Sequence, residues 1–241
     1  MKVKEKLMMD GRGIYENGPI NIVIFGDSIS QGCIDNYSDY ESVYWHRLRR
    51  MLNKTRDYVP VNMINVALGG LTAKRALPRL HKHALIHQPD LMIVSFGVND
   101  VNEPLEDYLD ALKEIFSDCL AAGCEVVFMS ECMMNTYVAP DTAEDLVAYA
   151  TKTAEMQNSG KVDLYFERAI ALAKEMGVAV ADCYARWKEL SKTQDITLLL
   201  ANRINHPIPE MHQLFADCLY ETIIGAPVST TPSGDGMMYR A

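Results

Sequence analysis

The chain has 241 residues, 49% of them hydrophobic, with six cysteines and a formal net charge of −9. That size and apolar content suit one α/β domain with its own core, without need of a disulfide or metal staple. The acidic balance argues against nucleic acid or an anionic membrane surface as partner. No cysteine pair has CxxC spacing, no Cys/His cluster has zinc-site spacing, and no apolar run approaches a membrane span.

The start, MKVKEKLMMDGRG, carries lysines but no apolar core long enough for a signal peptide. Residues 1–19 therefore read as an N-terminal extension, and a reduced, cytoplasmic protein is expected. Ile20 to Phe25 reads as a buried strand, and Ser42 to Leu52 has helical spacing. Val61 to Ala67 is a second strand. The stretch from Thr72 to Ile86 is helical, with an interruption at Pro78. Leu91 to Phe96 is the third strand. Leu105 to Ala121 is a strong amphipathic helix, with Leu105, Tyr108, Leu112, Ile115 and Phe116 on one face. Glu125 to Met129 makes a fourth strand, and Ser130 to Asp141 a longer excursion. Helical sequence follows from Thr142 to Met176, broken near Asn158-Ser159-Gly160, then a short fifth strand at Val178 to Ala181. Helical segments at Tyr184 to Leu190 and Glu210 to Ile224 complete the pattern, and residues 226–241 read as a loose tail.

Strands alternating with helices predict a parallel sheet covered on both faces, as one domain spanning residues 1–241. Ligands of such sheets bind beyond the carboxyl ends of the strands. Ser28 follows the first strand, Gly69-Gly70 the second, Gly97-Val98-Asn99-Asp100 the third, and Glu131 to Tyr137 the fourth.

Each of these features has an ordinary structural use. Ser28, in FGDSISQG, could be a helix N-cap. Gly69-Gly70 could be turn chemistry, although a glycine there also lets a backbone N–H point at a substrate oxyanion. Asn99 could close an Asx-turn or donate its amide to the same oxyanion. The chain has neither a Walker lysine nor a GxGxxG pattern, which disfavours a nucleotide-binding loop. Near the C-terminus, Asn205-His206-Pro207 precedes the last amphipathic helix.

Taken together and in this order, the GDS serine, the glycine, the GxND asparagine and the histidine followed by proline resemble the SGNH/GDSL hydrolase family. The resemblance runs from about Asn21 to Ile224. It implies a three-layer α/β/α sandwich with a five-stranded parallel sheet, flavodoxin-like, and a serine ester hydrolase that uses no metal or other cofactor. It further implies Ser28 as nucleophile and His206 as its base. The oxyanion hole would comprise the N–H groups of Ser28 and Gly70 and the Asn99 side chain. Gly70 rather than Gly69 falls on the family's Gly-Asp-Thr triplet, while Asp27 braces the turn.

One departure stands out. The family's aspartate three residues before the histidine is Arg203 here, which cannot accept a hydrogen bond from imidazole. In the longer DxxNHP register Asn202 takes its place, and its carbonyl could orient the ring. A Ser-His dyad oriented by a backbone carbonyl is a second possibility, and Asp195 a third candidate.

Of the remaining polar residues, His81, His83 and His87 suit a solvated helix face better than a metal, and His212 reads as structural. Cys132 to Tyr137 is either a core-facing connector or a pocket wall containing Met133, Met134 and Tyr137. The expected partner is a small-molecule ester, with an acetyl ester on a carbohydrate as one candidate. The competing activities are a thioesterase or lysophospholipase at the same site, or a degenerate member that binds a carbohydrate or acyl ligand without turnover. Acyl specificity and oligomeric state have no sequence signature.

Overall fold

The computed structural model describes residues 2–55 and 59–226. Its elements in chain order are α1 (Lys2–Leu7), α2 (Gly11–Asn17), β1 (Ile20–Gly26), α3 (Ser28–Gln31), α4 (Tyr44–Asn53), β2 (Val61–Asn65), α5 (Ala73–Ala76) and β3 (Leu91–Ser95). They continue with α6 (Leu105–Ala121), β4 (Glu125–Met129), α7 (Val147–Asn158), α8 (Lys161–Glu175), β5 (Ala179–Ala181), α9 (Cys183–Leu190) and α10 (His212–Ile224). The expected loose tail lies outside the described residues beyond residue 226.

The five strands form one parallel sheet in the order β2-β1-β3-β4-β5. Central strands β1 and β3 are apolar apart from Asn21 near the start of β1 and Ser95 at the end of β3, because both faces are covered, as parallel sheets require. Helices α4 and α10 pack on each other and reach the sheet through β2 and β5. On the other side α6 lies on β4 and against α8, which also touches β5. The result is the three-layer α/β/α sandwich. Leu112, Ile115 and Phe116 of α6 are fully buried, each stabilising the fold by about 1.5–3 kcal/mol relative to exposure.

Two regions differ from the sequence pattern. The first residues form helices rather than a plain extension. Val3 and Leu7 of α1 are buried in the main core, and the Lys2 and Val3 N–H groups both donate to the Glu125 carboxylate at 2.8 Å. The helical stretch after Thr72 does not run through. Pro78 has no N–H to give, so regular helix stops at Ala76; a 3₁₀ turn (Leu77–Arg79), a π turn (Leu80–Ala84) and a second 3₁₀ turn (Leu85–His87) follow. Gln88 ends the segment in a left-handed conformation.

At the carboxyl end of β3 the chain passes directly beneath the ring of Phe166 from α8. A Cβ at Gly97 would lie 2.3 Å from the ring, and its φ of +158° also disfavours a side chain. Gly97→Ala should therefore lower the free energy of urea unfolding by about 1–3 kcal/mol. An unchanged unfolding midpoint would contradict this packing.

Candidate active site

The segments that leave the carboxyl edge after β1, β2 and β3 meet the histidine loop at one locus. Beyond β1, Asp27 caps the short α3, its Oδ1 accepting from the Ile29 N–H at 3.0 Å. Ser28 follows as the first residue of α3. The turn is held from behind: Ser30 Oγ bonds the Tyr44 hydroxyl, and its carbonyl accepts from Trp45 Nε1 and Asn65 Nδ2. This buried bracing fixes the direction of the Ser28 side chain, whose Oγ lies 3.0 Å from Nε2 of His206.

His206 arrives on the loop between Leu200 and Pro207, which pair across an antiparallel bridge. When Nε2 accepts from the serine hydroxyl, the ring proton resides on Nδ1. That atom is buried and makes no hydrogen bond of ordinary geometry with any described residue. Burial is the main influence on the ring and pulls its pKa below the usual 6.5. The backbone carbonyl of Ile34 and the charge of Asp35 oppose that shift.

Asn202 is not the orienting group. Its Oδ1 already accepts three backbone N–H groups, those of Ile204, Asn205 and His206, at 3.0, 3.0 and 2.9 Å. Its Nδ2 donates to Asn205 Oδ1. The side chain thus folds the histidine loop onto itself, an Asx-type use that leaves no acceptor for the ring. Arg203, at the family's aspartate position, sits at φ 58° and turns outward to a bidentate pair with Asp141. Asp195 caps the Ile196–Leu199 turn and accepts from the Tyr137 hydroxyl, so it too is committed elsewhere. Of the three orienters considered from sequence, Asn202 and Asp195 are committed elsewhere, while the backbone carbonyl of Ile34 opposes the fall in the ring's pKa.

The candidate oxyanion donors converge from β1, β2 and β3. Among the described residues, the backbone N–H groups of Ser28 and Gly70 have no acceptor. Gly69, by contrast, spends its N–H on Gln31 Oε1 at 2.6 Å. Gly70 is exposed and adopts φ +74° with open space where a Cβ would be. Asn99 Nδ2 donates to Asp27 Oδ2 at 2.8 Å and to the Leu71 carbonyl at 3.2 Å. Both of its hydrogens are therefore engaged, and an incoming oxyanion must share or displace the longer bond.

Met133 and Met134 do not form a pocket wall. Both are buried in the main hydrophobic core, and the Met134 N–H is held by Gln157. The apolar side chains entering from this loop pack inward because the chain crosses under α7. Tyr137 is exposed and tied to Asp195. His212 is fully buried with its pKa pushed down to about 3 by burial, and its Nδ1 accepts from the Tyr44 N–H, a structural use. His81 pairs with Asp118, while His83 and His87 line an open cavity of about 480 Å³ beside β2. Among the described residues no group of three or more His, Cys, Asp or Glu side chains could hold a metal ion. Nor is any described helix long and apolar enough to cross a membrane. Glu131, fully buried just past β4, bonds Ser95 Oγ and the Val98 N–H. A lone acid ending an apolar strand was the only sequence signal for it.

The chain belongs to the GDSL-like lipase/acylhydrolase family, whose model matches residues 24–214. It is thereby a carboxylic-ester hydrolase of the SGNH/GDSL type. The fold is similar to that of Axe2, an acetylxylan esterase from Geobacillus stearothermophilus: TM-score 0.67, 17% identity, 85% of this chain and 94% of that one covered. It is also similar to LAE5, an alpha/beta hydrolase enzyme from the metagenome of Lake Arreo, Spain, with TM-score 0.65, 18% identity, and 86% and 95% covered. Catalytic mutants of Axe2 replace a serine, an aspartate and a histidine. Among curated proteins, a 92-residue stretch is 32% identical to the uncharacterized lipoprotein YqeF of Bacillus subtilis (strain 168). It covers 38% of this chain and about a third (34%) of that protein.

Because burial lowers the His206 pKa, the ring stays neutral, and able to accept a proton, to a more acid pH than an exposed histidine. The acid limb of kcat/KM for ester hydrolysis should therefore fall below pH 6.5. A limb centred at or above pH 7 would show that the imidazolium is stabilised by a group other than those acting on the ring here.

Proposed function

We propose that the protein removes a small acyl group, acetyl on a carbohydrate alcohol, through a Ser28–His206 dyad and a covalent acyl-enzyme. The observation that carries this reading is the 3.0 Å hydrogen bond between Ser28 Oγ and His206 Nε2, set beside two unused backbone N–H donors. In the first half-reaction Ser28 Oγ attacks the ester carbonyl carbon, and its proton passes to Nε2. The carbonyl oxygen becomes an oxyanion facing the N–H groups of Ser28 and Gly70 and the Asn99 amide. Collapse breaks the bond to the alcohol, which leaves with the proton from Nε2. Water then attacks the acyl-enzyme, giving one proton to Nε2, and collapse releases the acid and returns that proton to Ser28.

The imidazolium formed at each step has no carboxylate hydrogen-bonded to Nδ1. The Ile34 carbonyl and the nearby charge of Asp35 supply its support, which favours a dyad over a triad. The same Asp35 loop carries exposed Tyr37, with exposed Tyr40 just beyond it. Exposed aromatic faces with polar tips on the loop that supplies the Ile34 carbonyl suit a sugar ring better than a long acyl chain. The fold similarity to Axe2, which acts on acetyl-xylooligosaccharides, is consistent with that choice. The intact serine–histidine bond favours turnover over a binding-only role.

Steady-state hydrolysis of p-nitrophenyl acetate, butyrate and octanoate, and of acetylated xylo-oligosaccharides, tests the reading. The acetyl esters should be turned over fastest, with activity lost in folded Ser28→Ala. Retained turnover in that variant would sink the nucleophile assignment, and a preference for octanoate would sink the small-acyl assignment.

A further inference from the structure

Directly behind the oxyanion side of the site lie two carboxyl groups for which the dyad has no use. Asp27 and Glu131 are both fully buried, and no ion pair among the described residues involves either. All four of their oxygens accept hydrogen bonds. Asp27 takes the Ile29 N–H on Oδ1 and the Asn99 amide on Oδ2. Glu131 takes the Ser95 hydroxyl on Oε1 and the Val98 N–H on Oε2, at 3.1 and 2.9 Å. The two carboxyls also act on each other: after burial, the charge of Glu131 is the largest influence raising Asp27. Neighbouring buried carboxyls repel when both are ionised, and one can donate to the other only while it keeps its proton.

The placement gives this pair a purpose. Glu131 grips the N–H of the residue before Asn99, and Asp27 grips the Asn99 side chain itself. Asp27 also caps the helix turn that carries Ser28. The two carboxyls thus stand between the loop after β1, which holds the nucleophile, and the loop after β3, which holds the amide donor.

We propose that Glu131 is a positioning residue for the oxyanion hole: with Asp27 it forms a proton-sharing carboxyl pair that fixes the Asn99 amide relative to Ser28. This rests on the reading of Ser28 and Asn99 given above. Loss of the shared proton would set two like charges against each other in an apolar enclosure. It would also place a second negative charge behind the oxyanion, so the pair requires its proton for catalysis.

Burial pushes both acids above the ordinary carboxylate range, Glu131 to about 7. The groups facing the pair add no positive charge. They are Asp100 after β3, itself raised to about 8 by burial, Tyr44 from α4, Tyr108 from α6 and Cys132 beside Glu131, with the last three held neutral by burial. A raised acid keeps its proton until the pH climbs past its shifted value. The wild-type enzyme should therefore lose kcat on an alkaline limb above pH 7.

The test is kcat and KM as functions of pH for wild type, Glu131→Leu, Glu131→Gln and Ser28→Ala. Removing the carboxyl in Glu131→Leu should cost on the order of 10²-fold in kcat, comparable to losing an oxyanion donor, with KM changed less than about threefold. Glu131→Gln carries permanent amide hydrogens in place of the shared proton. It should recover most of kcat and shift or abolish the alkaline limb. An alkaline limb identical in Glu131→Gln and wild type overturns the proposal, as does a Glu131→Leu enzyme whose loss lies in KM alone. If Glu131→Leu does not fold, the pH profile of Glu131→Gln decides. Should wild type be inactive, or folded Ser28→Ala remain active, it is the dyad reading that fails, a result distinguishable from failure at Glu131.

Discussion

Ser28 and His206 are 178 residues apart in sequence and meet at 3.0 Å, and the proposed chemistry depends on holding that contact with no carboxylate hydrogen-bonded to Nδ1 of the ring. Two independent scaffolds keep it in place. On the serine side, β1 delivers the chain to a capped turn whose carbonyl at Ser30 is gripped by Trp45 and Asn65. On the histidine side, the short Leu200–Pro207 loop is closed by a single amide oxygen that receives three consecutive N–H groups. The histidine scaffold is local to its loop, whereas the serine scaffold is anchored by residues of α4 and β2.

The histidine loop also accounts for the residue that replaces the familiar aspartate. An acid at that position would have to reach inward to the ring. Arg203 instead reaches outward, to Asp141 and to the Leu198 and Leu200 carbonyls, and adopts a left-handed backbone in doing so. A left-handed non-glycine residue is strained unless its surroundings hold it, and five-fold donation by a guanidinium is suited to holding it. The loop is thus stabilised by surface bonds, while the ring is left to a backbone carbonyl and a desolvated setting. Further acids lie buried behind the oxyanion side, where burial favours their neutral form. Protonated acids there can organise hydrogen bonds without opposing the developing oxyanion.

Much of this was legible in the amino-acid sequence, for reasons that differ by element. The apolar runs of β1, β3 and β4 could hardly be anything but buried strands, and α6 has the same ends in sequence pattern and structure because its stripe is uninterrupted. The site residues could be found because glycine, asparagine and serine stand at strand ends, where a parallel sheet collects them. What stayed hidden depends on which of several partners a polar group chooses. The Asn202 oxygen could have faced the ring or the backbone, and only the loop's curvature decides for the backbone. The Met133-Met134 segment has the composition of either a pocket wall or a core, and packing under α7 decides for the core. Helix α1 was missed because its stripe is only Val3 and Leu7, and its ends are held by distant Glu125 and Asp90 rather than by local caps.

The most direct measurement of the central claim is covalent capture of the nucleophile by a fluorophosphonate, read by intact mass and then by peptide mapping. An activated serine beside a neutral histidine and unfilled oxyanion donors should take up one adduct, located on Ser28 and absent from Ser28→Ala. His206→Ala should label far more slowly. A protein that takes up no adduct, or that labels equally well without Ser28, would contradict the account.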